Sequence, residues 1–178
     1  AIMAYHGIQY QSMAPEVMDA EQLAWLQSHL WILSGLYGCI RPFHAVEPYR
    51  LEMCAKLAVD GAWDLYAFWT GKLASVIAPT GSSTTVVNLA SVEYAKAVLP
   101  HLAADATAIT CLFGEGVRNG KPIQRSTASK KARGSMVRWM AESRIEDASE
   151  LTNFSIGYLY APELSTETTL VFLNEQTL

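Results

Sequence analysis

The spacing of apolar residues along the chain predicts helices that alternate with strands. Leucines recur at helical intervals between Asp19, a candidate N-cap, and Gly35, a candidate C-cap, so we expect one helix between them. Pro42 and Pro48 disfavour a helix in the segment that follows, and we expect an ordered loop over residues 36–49.

The rest of the chain contains β-branched runs typical of buried strands and amphipathic stretches typical of helices. The predicted elements are, in order, a short helix through Leu73 and Val76 after the aromatic stretch 62–69, a strand over 84–89, a helix over 92–102, a strand over 106–113, a hairpin over 114–125, a helix from Ser126 or Thr127 to Arg144, and a strand over 168–173. This alternation indicates a mixed α/β fold, and the length of 178 residues fits a single compact domain over residues 1–178.

The predicted helix over residues 126–144 has two different faces. Its apolar arc, which we expect to face the core, consists of Ala132, Met136, Trp139 and Met140. The opposite arc carries the cations Lys130, Lys131, Arg133, Arg138 and Arg144, with Gly134, Val137 and Ala141 near its middle. Because glycine inside a helix costs about 1 kcal/mol relative to alanine, we expect something to approach the backbone closely at Gly134. A phosphate backbone and a second helix that crosses there are the two alternatives.

Positive charge is concentrated in this part of the chain. The sequence has 13 Lys and Arg against 17 Asp and Glu, a net charge of −4, yet eight of the bases fall within residues 118–144, where Glu142 is the one acid. An ordinary solvated helix face mixes both signs and gains from i, i+4 ion pairs, which is the alternative interpretation. Residues 118–138 hold seven bases and no acid, so we expect cations without counter-charges and an anionic partner for them.

Several classes of protein and site are not indicated by the sequence. No run approaches the ~20 apolar residues of a membrane span, so no membrane association is predicted. Three cysteines without a C-x-x-C pair, and no secretory leader pattern, favour a reducing, cytoplasmic location. Four scattered histidines and the lack of nucleotide-binding or nucleophile motifs predict no metal site and no cofactor.

A glycine-rich turn over residues 35–38 is a second candidate for anion binding. Two glycines that follow a helix and flank an apolar residue are typical of a helix-hairpin-helix loop, which presents backbone N–H groups to a phosphate. An ordinary C-cap and turn is the alternative. Arg41 lies on the predicted loop and Arg50 directly follows it, and each either binds an anion or pairs with an acid such as Glu47 or Glu52.

Six blocks of sequence, taken together, resemble the YaaA family of peroxide-stress-resistance proteins. The blocks are LSGLYGCIRP (33–42), PYRLEM (48–53), LYAFW (65–69), VNLASVEY (87–94), KKARGSMVRW (130–139) and NFSIGYLY (153–160). The resemblance implies a compact mixed α/β fold of the family's own type and a cytosolic bacterial protein. It also implies duplex DNA binding through a positive cleft with a helix-hairpin-helix-like element, and a role in limiting damage from peroxide and free iron. Residues 35–38 match the family's hairpin, and Lys130, Lys131 and Arg133 match its basic helix.

The chain departs from the family pattern at two places. The family opens with a strand similar to I-L-I-S-P-A-K followed by helices, and this chain starts after them, so we expect it to lack a central strand and part of the cleft. A sheet edge exposed in this way predicts a homo-oligomer. The aromatic residue usual before the basic helix is replaced by Ser126-Thr127-Ala128-Ser129.

Two hypotheses of function follow from these features. The one we favour is a DNA-binding protein of the bacterial peroxide stress response rather than an enzyme. Its predicted contacts with double-stranded DNA are Gly35, Leu36, Tyr37, Gly38, Arg41, Arg50, Lys130, Lys131, Arg133 and Arg138. The alternative is an enzyme acting on a small phosphorylated or otherwise anionic substrate, with Glu52 or Glu93 as acid or base. Its pocket is predicted to contain Arg50, Glu52, Ser91, Glu93, Tyr94 and Lys130. For Ser91, a structural role as helix N-cap is the competing interpretation.

Overall fold

The computed structural model describes residues 1–177, and the chain divides into two compact units. Unit 1 consists of Ala1 and residues 30–108, and unit 2 consists of residues 2–29 and the chain from residue 109 onward. Both units contain helices and strands, so the predicted mixed α/β class is confirmed. Within residues 1–177, no helix is both long enough and apolar enough to cross a membrane.

Most helices and strands of the two units are short. In chain order, the α-helices are α1 (Ile8–Met13), α2 (Ala20–His29), α3 (Leu65–Trp69), α4 (Lys72–Ile77), α5 (Val92–Ala95) and α6 (Ser126–Ser143). The strands are β1 (Ile32–Ser34), β2 (Gly38–Ile40), β3 (Thr85–Asn88), β4 (Thr107–Gly114), β5 (Val117–Arg118), β6 (Lys121–Pro122), β7 (Tyr158–Tyr160) and β8 (Thr169–Asn174). Turns of 3₁₀-helix lie at Pro15–Val17, Leu99–His101, Ala148–Asn153, Pro162–Leu164 and Glu175–Thr177.

Unit 1 contains the antiparallel hairpin of β1 and β2. Ser34 pairs with Gly38 across the hairpin, so residues 35–37 form its turn. The core of this unit contains the buried side chains of Met53, Leu65, Leu73, Ala97 and Val98, and Leu33 and Cys39 of the hairpin pack against it. The hairpin is therefore held on an apolar core built mainly from residues later in the chain.

Unit 2 contains a sheet in which β8 lies between β4 and β7. Strand β8 pairs parallel with β4 and antiparallel with β7. Phe113 and Phe172 are fully buried on neighbouring strands, and their rings stack with centroids 5.5 Å apart. Met136 of α6 is also fully buried. The amphipathic helix therefore contributes its apolar face to the core, as predicted.

Three predicted elements have different bounds in the structure. The helix expected to continue to Gly35 ends at His29, because the apolar run from residue 30 to 33 fits a buried strand as well as a helix and pairing with β2 favours the strand. Strand β2 lies inside the predicted loop over 36–49. The helix predicted over 92–102 forms only as α5 and a 3₁₀ turn, because Pro100 has no backbone N–H to donate to a helical hydrogen bond. The strands near 84–89, 106–113 and 168–173 and the helix near 126–144 are confirmed.

Helices α1 and α6 cross at Gly134. This glycine is buried, and a Cβ at its position would overlap Gln9 O and lie 3.0 Å from Met13 N. Of the two alternatives for this residue, the crossing helix is confirmed, and no room is left for a phosphate. Val137 and Ala141 are buried as well. The middle of the basic arc is therefore buried, and the alternative of a phosphate backbone at Gly134 is excluded.

Candidate nucleic-acid interface

The beginning of α6 places two lysines in solvent. Ser129 is buried, and its hydroxyl donates to Phe113 O at 3.5 Å, which holds the first turns of α6 on β4. Lys130 and Lys131 follow directly and are exposed. Among residues 1–177, no carboxylate oxygen lies within 4.0 Å of either ammonium group. Both charges are available to an external anion.

Arg133 lies one helical turn after Lys130 and is half-buried. Its Nε atom is buried and has no hydrogen-bond partner among the described residues. Burial lowers the pKa of the guanidinium, because a charged group loses hydration when it is covered. A donor that water cannot reach is also closed to a phosphate, so this Nε is not a contact for an external anion. Arg133 is therefore a weaker candidate for an anion contact than the two exposed lysines beside it.

The last turns of α6 carry cations that already have acidic partners. Arg138 Nε donates to Glu142 Oε1 at 2.7 Å, an i, i+4 pair. Arg144, just after the helix, pairs with Glu21. The expectation that the whole basic arc lacks counter-charges is therefore wrong for these two arginines. Glu142 was visible in the sequence as an i, i+4 partner, whereas Glu21 is far away in the sequence and could not be identified from local spacing.

The turn over residues 35–37 uses its backbone donors internally. The N–H groups of Leu36 and Tyr37 donate to Ser34 Oγ at 3.2 and 2.9 Å, and the Ser34 hydroxyl also bonds Tyr49 OH at 2.5 Å. Because Ser34 satisfies both N–H groups, they are not free to bind a phosphate in this conformation. The turn joins two strands, so the predicted helix-hairpin-helix-like element is not confirmed.

The two glycines of this turn are explained by close packing. A Cβ on Gly35 would lie 2.7 Å from Leu51 O, and one on Gly38 would lie 2.8 Å from the Trp69 ring. Gly38 also has a φ of +75°, a conformation that favours glycine. Trp69 further donates its Nε1–H to Gly35 O at 3.0 Å. The ordinary turn, the alternative in the sequence analysis, therefore accounts for this block.

The two arginines of unit 1 also have neighbours. The Arg41 guanidinium stacks over the Trp31 ring at 3.6 Å and donates to Leu30 O at 3.3 Å. The Arg50 side chain is 93% exposed, and its Nη2 lies 3.9 Å from Glu52 Oε1. In the structure, Arg50 therefore pairs with an acid, which was the alternative to anion binding. The long distance and the high exposure of both side chains make this ion pair weak.

A second cluster in unit 1 brings together several residues of the predicted enzyme pocket. Glu93 Oε1 accepts from the Cys54 backbone N–H at 3.1 Å, and its main-chain carbonyl accepts from Tyr66 OH at 3.1 Å. Burial, and then the charge of Glu93, raise the pKa of Tyr94 to about 12. A hydrogen bond from the thiol to Glu93 is the main reason that the pKa of Cys54 is raised. Cys54 was not singled out in the sequence, because no local motif connects it with Glu93.

The remaining residues predicted for that pocket fall into both units of the chain. Ser91 is the N-cap of α5, as the structural interpretation predicts, although its side chain makes no capping hydrogen bond. Lys130 belongs to unit 2, whereas Arg50, Glu52 and Glu93 belong to unit 1. The cluster of unit 1 contains the carboxylates of Glu93 and Glu52, which would repel an anionic substrate, and the Lys96 ammonium, 4.5 Å over the Tyr66 ring, which would attract one.

Comparison with known proteins identifies the family. A family model described as peroxide stress protein YaaA matches residues 1–164. The chain belongs to the YaaA peroxide stress protein family. It is 48% identical over 177 residues to a UPF0246 protein of Pediococcus pentosaceus, a match that covers 99% of this chain and 69% of the relative. The UPF0246 protein of Lachnoclostridium phytofermentans is 45% identical over 179 residues, covering 99% of this chain and 69% of that relative. The UPF0246 protein of Desulfitobacterium hafniense is 43% identical over 174 residues, covering 97% of this chain and 68% of that relative.

Membership in the YaaA family confirms the resemblance found in the six sequence blocks. All six blocks lie within the matched range, and the KKARGSMVRW block carries the exposed lysines of α6. The family description assigns the protein to peroxide stress.

Proposed function

We propose that this chain binds double-stranded DNA through the start of α6 and thereby contributes to the peroxide stress response. The observation that carries the proposal is the exposure of Lys130 and Lys131 without a carboxylate within 4.0 Å in the described part of the chain. Arg133 is a weaker candidate contact because it is half-buried and its Nε is closed to solvent. Arg138 is a weaker candidate because Glu142 neutralises it.

The chemistry of a duplex backbone fits this surface better than that of a small anion. Adjacent lysines on one helix turn are long, exposed and separately mobile, which suits successive phosphates along a strand rather than one enclosed group. Each phosphate neutralised releases condensed counterions, so the logarithm of the binding constant is expected to fall by about 0.9 per contact for each tenfold increase in salt. The affinity should therefore depend steeply on ionic strength and little on base sequence.

Reversal of the two lysine charges tests the proposal. The K130E/K131E variant should bind a fluorescent duplex of mixed sequence at least about 10-fold more weakly than the wild type, since two attractive phosphate contacts become repulsive. Fluorescence anisotropy over a salt series measures this. The K56E/K72E variant is the matched control, because it makes the same change in net charge at two lysines of unit 1.

The same variants test the finer proposal that binding limits iron-dependent damage. Wild-type protein and K56E/K72E should reduce strand cleavage of a duplex exposed to ferrous iron and peroxide, and K130E/K131E should not. Equal affinity of K130E/K131E and wild type for the duplex would contradict DNA binding at this surface. Tight binding without any reduction in cleavage would contradict only the protective role.

The alternative function, an enzyme for a small anionic substrate, has less support. The observation that favours it is that Glu93 is followed directly by Tyr94, which burial keeps protonated. Glu93 could act as the base and Tyr94 as the acid. The one arginine predicted for this pocket, Arg50, is almost fully exposed and lies near Glu52. Calorimetric titration with inorganic phosphate and a nucleoside monophosphate, using wild type and E93Q, tests it. A heat of binding in wild type that changes in E93Q would favour this function over the first, because removal of the Glu93 charge alters the binding only of an anion that lies near it.

A further inference from the structure

We infer that the β5–β6 hairpin is a second phosphate-binding element of unit 2, which contacts the backbone of the same duplex as α6. The inference rests on the proposed function and adds residues that the sequence analysis did not assign to the site. Its cations are Arg118 and Lys121, both exposed, and the hairpin leads into α6 through residues 123–125.

The hairpin places two like charges opposite each other. Arg118 and Lys121 are partners in the antiparallel register. Like charges at directly opposite positions of a β-ladder destabilise it. Among residues 1–177, no carboxylate oxygen lies within 4.0 Å of either side chain. A phosphate between the two side chains would convert this repulsion into two charge-assisted hydrogen bonds.

The turn between the two strands fixes the positions of these cations. Asn119 and Gly120 form a two-residue connection with φ values of +52° and +71°. Left-handed conformations at both positions match the twist of an antiparallel hairpin, and Asn-Gly is the pair that adopts them most readily. The cations are therefore carried by a defined turn rather than by a long loop, which reduces the entropy lost on binding.

The acid nearest to the hairpin in the sequence is engaged elsewhere. Glu115, at the base of the hairpin, accepts from Tyr158 OH at 2.5 Å through Oε1 and from Asn174 Nδ2 at 3.1 Å through Oε2. Burial, and then the bond to Glu115, raise the pKa of Tyr158, so the tyrosine stays a donor. The carboxylate thus anchors the base of the hairpin to the sheet and leaves the two cations at its tip without a counter-charge.

Two backbone hydrogen bonds close the base of the hairpin, next to the anchoring Glu115. Glu115 N–H donates to Ile123 O at 2.8 Å, and Ile123 N–H donates to Gly116 O at 2.8 Å. From this base to the turn is about four residues, or ~13 Å at the usual rise of a strand. Beyond the base, Arg125 is also exposed and precedes the first residue of α6. A run of exposed cations therefore extends along the chain from the hairpin tip to Lys131.

Protection of a sheet edge is the competing explanation for these charges. Lysine and proline on short exposed strands prevent edge-to-edge pairing, and β6 consists of Lys121 and Pro122. The two explanations predict different effects. Loss of the cations would promote aggregation without changing DNA affinity if they only protect the edge, whereas it would weaken DNA binding and its salt dependence if they contact phosphates.

A salt titration of duplex affinity with the R118A/K121A variant tests the inference. The slope of the logarithm of the binding constant against the logarithm of salt concentration is negative, and its magnitude should decrease by about 2 relative to wild type, with at least about 10-fold weaker binding at moderate salt. The R118K/K121R variant keeps both charges and should keep the wild-type slope. K56A/K72A serves as the control for the loss of two lysines elsewhere, and size-exclusion chromatography shows whether each variant stays dispersed.

The outcomes separate this inference from the proposed function. If wild type binds the duplex and K130A/K131A weakens it, but R118A/K121A binds like wild type, the hairpin inference is overturned and the proposed function stands. If wild type does not bind the duplex, the proposed function fails and this inference fails with it. A reduced slope for R118A/K121A, restored in R118K/K121R, supports the hairpin as a phosphate contact.

Discussion

Lys130 and Arg138 stand about two turns apart on α6, yet they differ in the one property that decides whether a cation binds an external anion. Lys130 is exposed and has no carboxylate within 4.0 Å among the described residues, whereas Arg138 donates to Glu142 at 2.7 Å. An anion that approaches Arg138 must compete with an existing i, i+4 pair. Net charge over a segment therefore overestimates its binding capacity, and the partners of each side chain have to be known.

Tyr94 shows how surroundings set the protonation of a single residue. Its pKa is about 12 in the folded chain against an ordinary value of 10.0, because burial and the Glu93 charge disfavour the phenolate. A tyrosine pKa that is higher in the folded than in the unfolded chain contributes to the stability of the folded state at pH values below about 10. This contribution is lost as the pH rises from about 10 through about 12. We expect Y94F to flatten the alkaline decline in the free energy of unfolding over that range.

An ultraviolet absorbance titration of tyrosinate measures the Tyr94 prediction. The difference between the titrations of wild type and Y94F should have its midpoint near 12. The E93Q variant should bring that midpoint down, because removal of the carboxylate charge makes the phenolate less unfavourable. A difference titration centred near 10 would show that neither burial nor Glu93 acts on Tyr94 in this way.

At the scale of elements, the crossing of α1 and α6 explains why a helix rich in cations contains a glycine. Gly134 brings the two backbones into contact, and a Cβ there would overlap Gln9 O. The crossing also fixes the side of α6 that faces solvent. The exposed lysines therefore depend indirectly on a six-residue helix, α1, that has no capping side chain and no clear sequence signal.

We expect the G134A variant to be less stable than wild type. In an open helix this change would gain up to about 1 kcal/mol, but here the added methyl must push α1 away, and overpacking typically costs about 1–3 kcal/mol. Urea denaturation followed by circular dichroism measures the free energy of unfolding. T127A, at an exposed position of α6, is the control and should change it by less than about 0.5 kcal/mol. An increase in stability for G134A would contradict close packing of α1 on α6.

The elements that could be predicted from the sequence are those with strong local signals. The long amphipathic helix α6 and strands β3, β4 and β8 followed from periodicity and β-branched runs. The strand β1 could not be distinguished from a helix, because its identity depends on pairing with β2. The site was predictable only in part for the same reason. The lysines of α6 were visible as charge, whereas the Arg144–Glu21 pair and the acceptor Ser34 at the glycine turn depend on contacts that local spacing does not reveal.

At the scale of the whole molecule, an acidic chain with a net charge of −4 carries, in one stretch from the β5–β6 hairpin to the start of α6, five exposed cations that have no carboxylate within 4.0 Å among residues 1–177. The net negative charge of the remaining chain repels a polyanion, so binding is expected to be confined to this stretch and to weaken with salt. The chain belongs to the YaaA peroxide stress protein family. The proposed role at DNA requires that the free cations, and not the paired ones, contact phosphates.

The salt dependence of duplex affinity in single alanine variants of α6 tests this claim most directly. K130A and K131A should each decrease the magnitude of the negative slope of the logarithm of the binding constant against the logarithm of salt concentration by about 1, because each removes one phosphate contact. R138A, which removes a cation already paired with Glu142, should leave the slope nearly unchanged. The account is contradicted if K130A and K131A keep the wild-type slope, or if R138A decreases its magnitude as much as they do.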